Sequence, residues 1–451
     1  MNFRPVKSCG WLAVLALTPA IAFMVSLPMV AQESVLYSFT TPSSDGQQPN
    51  SGLISDGKGN FYGTTEYGGS VGAPYGFDGT VFELSPASGG GWTEKVLYSF
   101  GVVSGDGVQP LANLVFDAKG NLYGTTMSGG AYNDGTVFEL LPGTGGVWTE
   151  KILHSFGAYA GDGNSPRRGS LIFDSKGNLY GTTFNGGSNG AAPGGGAVFE
   201  LSPGTGGAWT EKVIYSLGAN SADAMHASGG LVFSPAGDLY GVTVQGGAYN
   251  YGSVYELLPG SGGIWTEKVL HSFDVNGVDG ASPIPCVILD AEGNLYGTTQ
   301  QGGNYGNGNH LGAVYELSPS PGGTWTEQIL YNFIGGYPNS DGATPVAGLI
   351  FDAAGNLYGT TSGGGPGISS DGTVFELVRG AGGWTERQIY AFTAAAADGH
   401  FPYGGVIFDA AGNLYGTTPS GGANSAGQYG TVFKIAGVAT ASPKFSPVGG
   451  A

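Results

Sequence analysis

The chain has 451 residues, 88 of them glycine, without the strict Gly-X-Y period of collagen. Apolar residues make up 41%, with 24 Tyr and 23 Phe, which excludes a disordered chain. The net charge of −18 would repel a phosphate backbone, so nucleic-acid binding is excluded as a main role.

Residues 1–31 read as a secretory signal. Arg4 and Lys7 form the basic start, Trp11 to Leu27 is apolar, and cleavage is expected after Ala31. The alternative is an uncleaved membrane anchor, since about 20 apolar residues can span a bilayer. Once the signal is removed no segment is long enough to span. Of two cysteines, Cys9 lies in this leader. Cys286 then stands alone, and its strand-like surroundings suit a small buried hydrophobe.

From residue 33 onward one motif recurs seven times, Gly-Asn-Leu-Tyr-Gly-Thr-Thr in its commonest form. Its tyrosines are Tyr62, Tyr123, Tyr180, Tyr240, Tyr296, Tyr358 and Tyr415, spaced 56 to 62 residues apart. A period of that size marks stacked or radial repeats. Each repeat holds four strand-like pieces, here called A to D. Gly348 to Asp352 exemplifies A, Asn356 to Thr361 B, and Gly372 to Leu377 C. Piece D is Trp92 to Phe100, where a period of two puts Trp92, Glu94, Val96, Tyr98 and Phe100 on one face.

The A–B link, as in Asp117 to Asn121, suits a tight turn, because Asp bonds the turn amides and Gly supplies positive φ. Four antiparallel strands repeated seven times predict an all-β, seven-bladed propeller over residues 32–435. The last repeat lacks its Trp-Thr-Glu piece. Glu33 to Phe39 matches Glu94 to Phe100 and is expected to supply strand D of blade seven. Residues 436–451 read as a disordered tail.

Gly-Asn-Leu-Tyr-Gly-Thr-Thr, Gly-Thr-Val-Phe-Glu-Leu and Trp-Thr-Glu-Lys-Val-Leu-Tyr-Ser-Phe together resemble the GloVer (Gloeobacter–Verrucomicrobia) tandem-repeat family. The resemblance spans roughly residues 33–435 and implies an exported bacterial repeat protein without established chemistry. Many members carry a C-terminal surface anchor, but this tail has no apolar stretch. The Gly-Gly doublets before an aromatic and Trp also look kelch-like.

In such a propeller the A–B and C–D turns share one rim, and the B–C and D–A loops the other. The C–D turns are nearly uniform, whereas B–C loops differ in length and side chains, so function is expected on the second rim. D–A loops carry a repeated aspartate: Asp45, Asp106, Asp162, Asp279, Asp341 and Asp398, with Asp223 in a divergent copy. These suit local turn chemistry. Their alternative is a Ca²⁺ or polar-ligand site beside the central pore, although no compact multi-carboxylate loop occurs.

Tyr67, Tyr75, Tyr132, Tyr249, Tyr251, Tyr305, Tyr403 and Tyr429 also fall on this rim, where aromatic faces suit sugar rings or interblade packing. His154 and His271 replace the strand-D tyrosine and read as structural. Arg167 and Arg168 form the one paired basic site of the rim and would suit the carboxylate of an acidic glycan. With Asp223 and His226 they are the clustered departures from the repeat, around blades three and four.

The leading reading is a monomeric, exported binding module for a glycan or surface protein, without a cofactor. An enzyme, such as a polysaccharide lyase or glycosidase, would need a unique carboxylate pair or a base with an arginine on the same rim. The third reading is a structural envelope protein.

Overall fold

The fold follows from how one repeat buries its signature. A computed structural model describes residues 32–40, 45–70, 78–189, 194–284, 286–303, 311–335, 341–365, 370–393, 395, 397–423 and 429–439. The leader and residues 440–451 lie outside the described residues. Among the described residues no helix is long and apolar enough to cross a membrane.

In the second repeat strands A to D are Val115–Phe116, Leu122–Thr126, Thr136–Pro142 and Trp148–Ser155, antiparallel and paired in that order. Strand B is buried along its whole length. Its central Gly124 has an ordinary φ and is needed for space, because a Cβ there would stand 2.6 Å from Cζ of Phe138. The Asp117 carboxylate accepts from the backbone N–H of Lys119 and Asn121 at 2.8 and 2.9 Å, which closes the A–B turn.

The signature tyrosine ties its own blade to the next. Tyr123 donates to Glu139 Oε1 of strand C at 2.6 Å. Its ring meets Phe173 and Trp209 of the third repeat edge-on, at centroid distances of 5.2 and 6.1 Å. Such pairs contribute roughly 0.5–1.5 kcal/mol each beyond area burial. The same pattern joins Tyr180 to Phe233 and Trp265, and Tyr296 to Phe351 and Trp384. Seven blades result, and hydrophobic clusters straddle neighbouring blades rather than fill one shared centre.

The ring closes through the N-terminal segment. Gln32–Ser38 pairs antiparallel with Thr431–Ala436, with Gln32 opposite Ala436 and Ser38 opposite Thr431. Tyr415 of blade seven packs on Phe61 and Trp92 of blade one. Thr417 Oγ1 donates to the Ser51 carbonyl at 2.6 Å, as Thr182 does to Gly229 and Thr360 to Gly404 at other blade junctions. On the C–D rim, Lys95, Lys151, Lys212 and Lys268 each donate Nζ to a glycine carbonyl of the next blade's C–D turn. The uniformity of those turns is therefore structural.

Three details depart from the sequence expectation. Strand D does not keep one alternation through Phe100: a bulge between Val96 and Tyr98 breaks the register, and every blade repeats it. Bulges re-aim side chains and add twist, here on the outermost strand. The D–A and B–C loops also pair with each other, as Gly107–Val108 does with Ser128–Gly129. Finally, ordered chain continues past Ile435: Val438 is buried and the Ala439 N–H donates to the Gly412 carbonyl.

Candidate site at the channel mouth

Each D–A loop brings the chain from an outer strand D to the next inner strand A. Seven non-glycine residues on these loops take positive φ: Gln48, Gln109, Ser165, His226, Ser282, Thr344 and Phe401. Each donates its N–H to a carbonyl of the preceding blade's B–C loop, for instance His226 to Gly195 at 2.6 Å. Sevenfold repetition makes this strain a structural staple, yet it fixes what the following residues present to the central channel.

In blade three the loop is one residue longer than elsewhere: Asp162 and Asp174 are one position further apart than Asp45 and Asp56 or Asp106 and Asp117. Arg168 lies in that longer stretch. Its guanidinium lies over the Tyr403 ring, 5.0 Å from the centroid. Tyr403 belongs to blade seven, which is not a neighbour of blade three, so the contact crosses the channel. Burial pulls the Arg168 pKa below its ordinary value, and nearby Tyr403 and Glu66 partly restore it. Arg167 lies 3.8 Å from the ring centroid of Phe184. Phe184 in turn stacks on His226 at 4.7 Å, and His226 Nδ1 bonds the Phe184 carbonyl at 2.9 Å.

Glu66 of blade one completes the mouth and accepts a hydrogen bond from Asn50 Nδ2. The Oδ1 atom of Asn50 is buried without a partner. Among the described residues neither arginine donates a hydrogen bond to protein. Each fork of five N–H donors is held by an aromatic face and left open to an acceptor.

The structure thus brings together Arg167, Arg168 and His226 of the residues singled out in the sequence, with Tyr403. It adds Glu66, Phe184 and Asn50, whose signal was their departure from the repeat just after strand B or the loop proline. Tyr132, Tyr249 and Tyr251 are exposed at 54%, 55% and 44% on B–C loops, and among the described residues no ring contact joins them. Tyr305 and Tyr75 lie outside the described residues.

The aspartates are not beside the channel. Asp45 accepts from Tyr37 OH, from the Thr40 N–H and from the Gly46 N–H, at 3.1, 2.7 and 2.8 Å. Tyr37 is on the outermost strand, so the carboxylate sits at the outer seam between two blades. Asp106, Asp341 and Asp398 likewise accept from the tyrosine OH of the preceding strand D, and Asp162 and Asp279 bond the histidine in that place. Asp223 accepts from the Ala219 and Ala224 N–H groups, as Asp45 does from those of Thr40 and Gly46, which removes it from the cluster of departures. A calcium ring at the pore is therefore not formed by these residues.

Facing each aspartate is the glutamate of the next Trp-Thr-Glu strand. Desolvation first, and then the neighbouring aspartate, push Glu94 up to about 8, Glu150 to about 8 and Glu386 to about 7. At the closing seam Glu33 of the N-terminal strand is raised to about 7, facing Asp398.

A closed propeller with a uniform rim and one asymmetric channel mouth defines the class: a tandem-repeat β-propeller. The chain belongs to the Gloeobacter/Verrucomicrobia repeat family, which it matches over residues 24–192, 148–339 and 308–451. No curated protein matches it. Among solved structures it is similar to one named as an oxidoreductase (glucose dehydrogenase) of Thermus thermophilus. That likeness has 16% identity and a TM-score of 0.40, covering 72% of this chain and 96% of the other.

Proposed function

We propose that this is an exported binding module that takes a carboxylate-bearing glycan at the channel mouth. The observation that carries the reading is the pair Arg167–Arg168, oriented by Phe184 and Tyr403 with no protein acceptor for either fork among the described residues. Planar guanidinium forks bind carboxylates bidentately, and aromatic faces accept sugar rings. Polyanions gain little from the rest of the molecule, because the chain as a whole carries a net charge of −18, so binding should be confined to the mouth.

The test is calorimetric titration with polygalacturonate, alginate and a neutral glucan. Binding of an acidic glycan that drops at least tenfold in Arg168→Ala, and survives substitutions in the C–D turn at Gly143 to Gly146, supports the reading. Equal binding of neutral and acidic polymers, or none at all, sinks it. A lyase is the second reading, favoured by His226, Tyr403 and Glu66 beside the arginines. It predicts unsaturated ends accumulating when the acidic polymer is incubated with the protein.

A further inference from the structure

Two of the seven outer seams differ from the rest in one side chain. In five the strand-D residue at the seam is tyrosine, whereas His154 and His271 stand in that place at the blade two–three and blade four–five seams. We propose that His154–Asp162–Glu211 and His271–Asp279–Glu327 are two equivalent binding sites for a divalent transition cation of the zinc type.

The geometry is that of a ligand set. In each group one nitrogen and two carboxylate oxygens lie within 4.8 Å of one another. Zinc–ligand bonds of about 2.0–2.2 Å in tetrahedral geometry separate neighbouring ligand atoms by roughly 3.4 Å. His154 Nε2 lies 3.1 Å from Asp162 Oδ2, and His271 Nε2 lies 3.1 Å from Asp279 Oδ2 and 3.8 Å from Glu327 Oε1. These values bracket that edge without any movement of the backbone.

Oε1 of Glu211 and Oε1 of Glu327 are buried and accept no hydrogen bond, as is also true of Glu33, Glu94, Glu150 and Glu386 at tyrosine seams, so what sets these two seams apart is an imidazole nitrogen facing the free oxygen. The other atoms of the set are already oriented. Tyr159 OH donates to Glu211 Oε2 at 2.6 Å, and the Ala158 and Gly163 N–H groups hold the two oxygens of Asp162. Asp279 is held the same way by the N–H groups of Asp274 and Gly280. Such outer partners fix ligands for a metal.

Both histidines are partly exposed to solvent, the His154 and His271 side chains at 12% and 21%. A cleft of about 510 Å³ lined by Tyr159, Ser188, Asn189 and Glu211 opens at the first group. Three protein ligands leave a fourth position for water. An imidazole nitrogen in so small a set favours zinc, nickel or cobalt over calcium, which takes six to eight oxygens.

The other five seams supply the control, since tyrosine is accepted at the same position throughout the ring. The chain, purified without an affinity tag and stripped with chelator, is titrated with ZnCl₂ by calorimetry. Two equivalents should bind, His154→Tyr and His271→Tyr should each leave one, and the double variant none. Added Zn²⁺ should raise the melting temperature of the parent but not of the double variant, whose own melting transition reports separately on whether it is folded. Absence of binding to the parent overturns the proposal, because a proton then occupies the seam. So does undiminished stoichiometry in a folded double variant, which would place the metal away from these seams.

Discussion

Replacing Glu94 with glutamine tests the buried carboxyl seams directly. In the fold Glu94 is pushed from 4.5 to about 8 by burial and by Asp45. A raised carboxyl pKa means that the folded state binds the proton more tightly than the unfolded chain. The stabilising contribution is complete below the unfolded value and is lost as pH rises through the folded one. The window therefore runs from about pH 4.5 to about pH 8. A shift of this size corresponds to at most about 5 kcal/mol, and solvent at the partly open seam reduces this to roughly 2 kcal/mol. Glutamine is neutral at every pH and can donate its amide to Asp45 as the protonated acid would. In urea denaturation Glu94→Gln should match the parent near about pH 5 and exceed it by about 2 kcal/mol near about pH 9. Equal stability at both pH values, or a less stable variant at the higher one, would refute the seam argument.

Deleting residues 32–38 should open blade seven, because that segment is its outer strand and carries Glu33. Limited proteolysis should then cut near Thr431–Ala436, and an unchanged melting curve would count against closure. Thr417→Val removes a side-chain hydrogen bond between blade seven and blade one. It should cost about 1–2 kcal/mol in chemical denaturation, since it leaves a buried carbonyl unpaired. Melting should be the same with and without reductant, because Cys286 is a free thiol, and burial pushes its pKa up. Its alkylation rate at neutral pH should therefore rise sharply only on unfolding.

The repeat itself determined the blade. Tyrosine, glycine and two threonines at fixed offsets encode a strand whose ring packs on the next blade and whose glycine leaves space for the facing ring, so the count of seven and the N-terminal closure follow from matching strings alone. Local chemistry of this kind is legible because its partners lie a few residues away or one repeat on. What the Asp-Gly loops do was not legible in the same way. Their carboxylates could have pointed to the pore, and only the bulge in strand D and the pairing of D–A with B–C loops turn them to the outer seams, opposite glutamates some 50 residues later in sequence. The channel mouth depended on tertiary structure still more. Arg168 and Tyr403 stand in blades three and seven, and no spacing rule relates them. They meet because a closed ring brings the start of every inner strand to one axis, where one extra residue in a single loop is enough to carry a side chain across it.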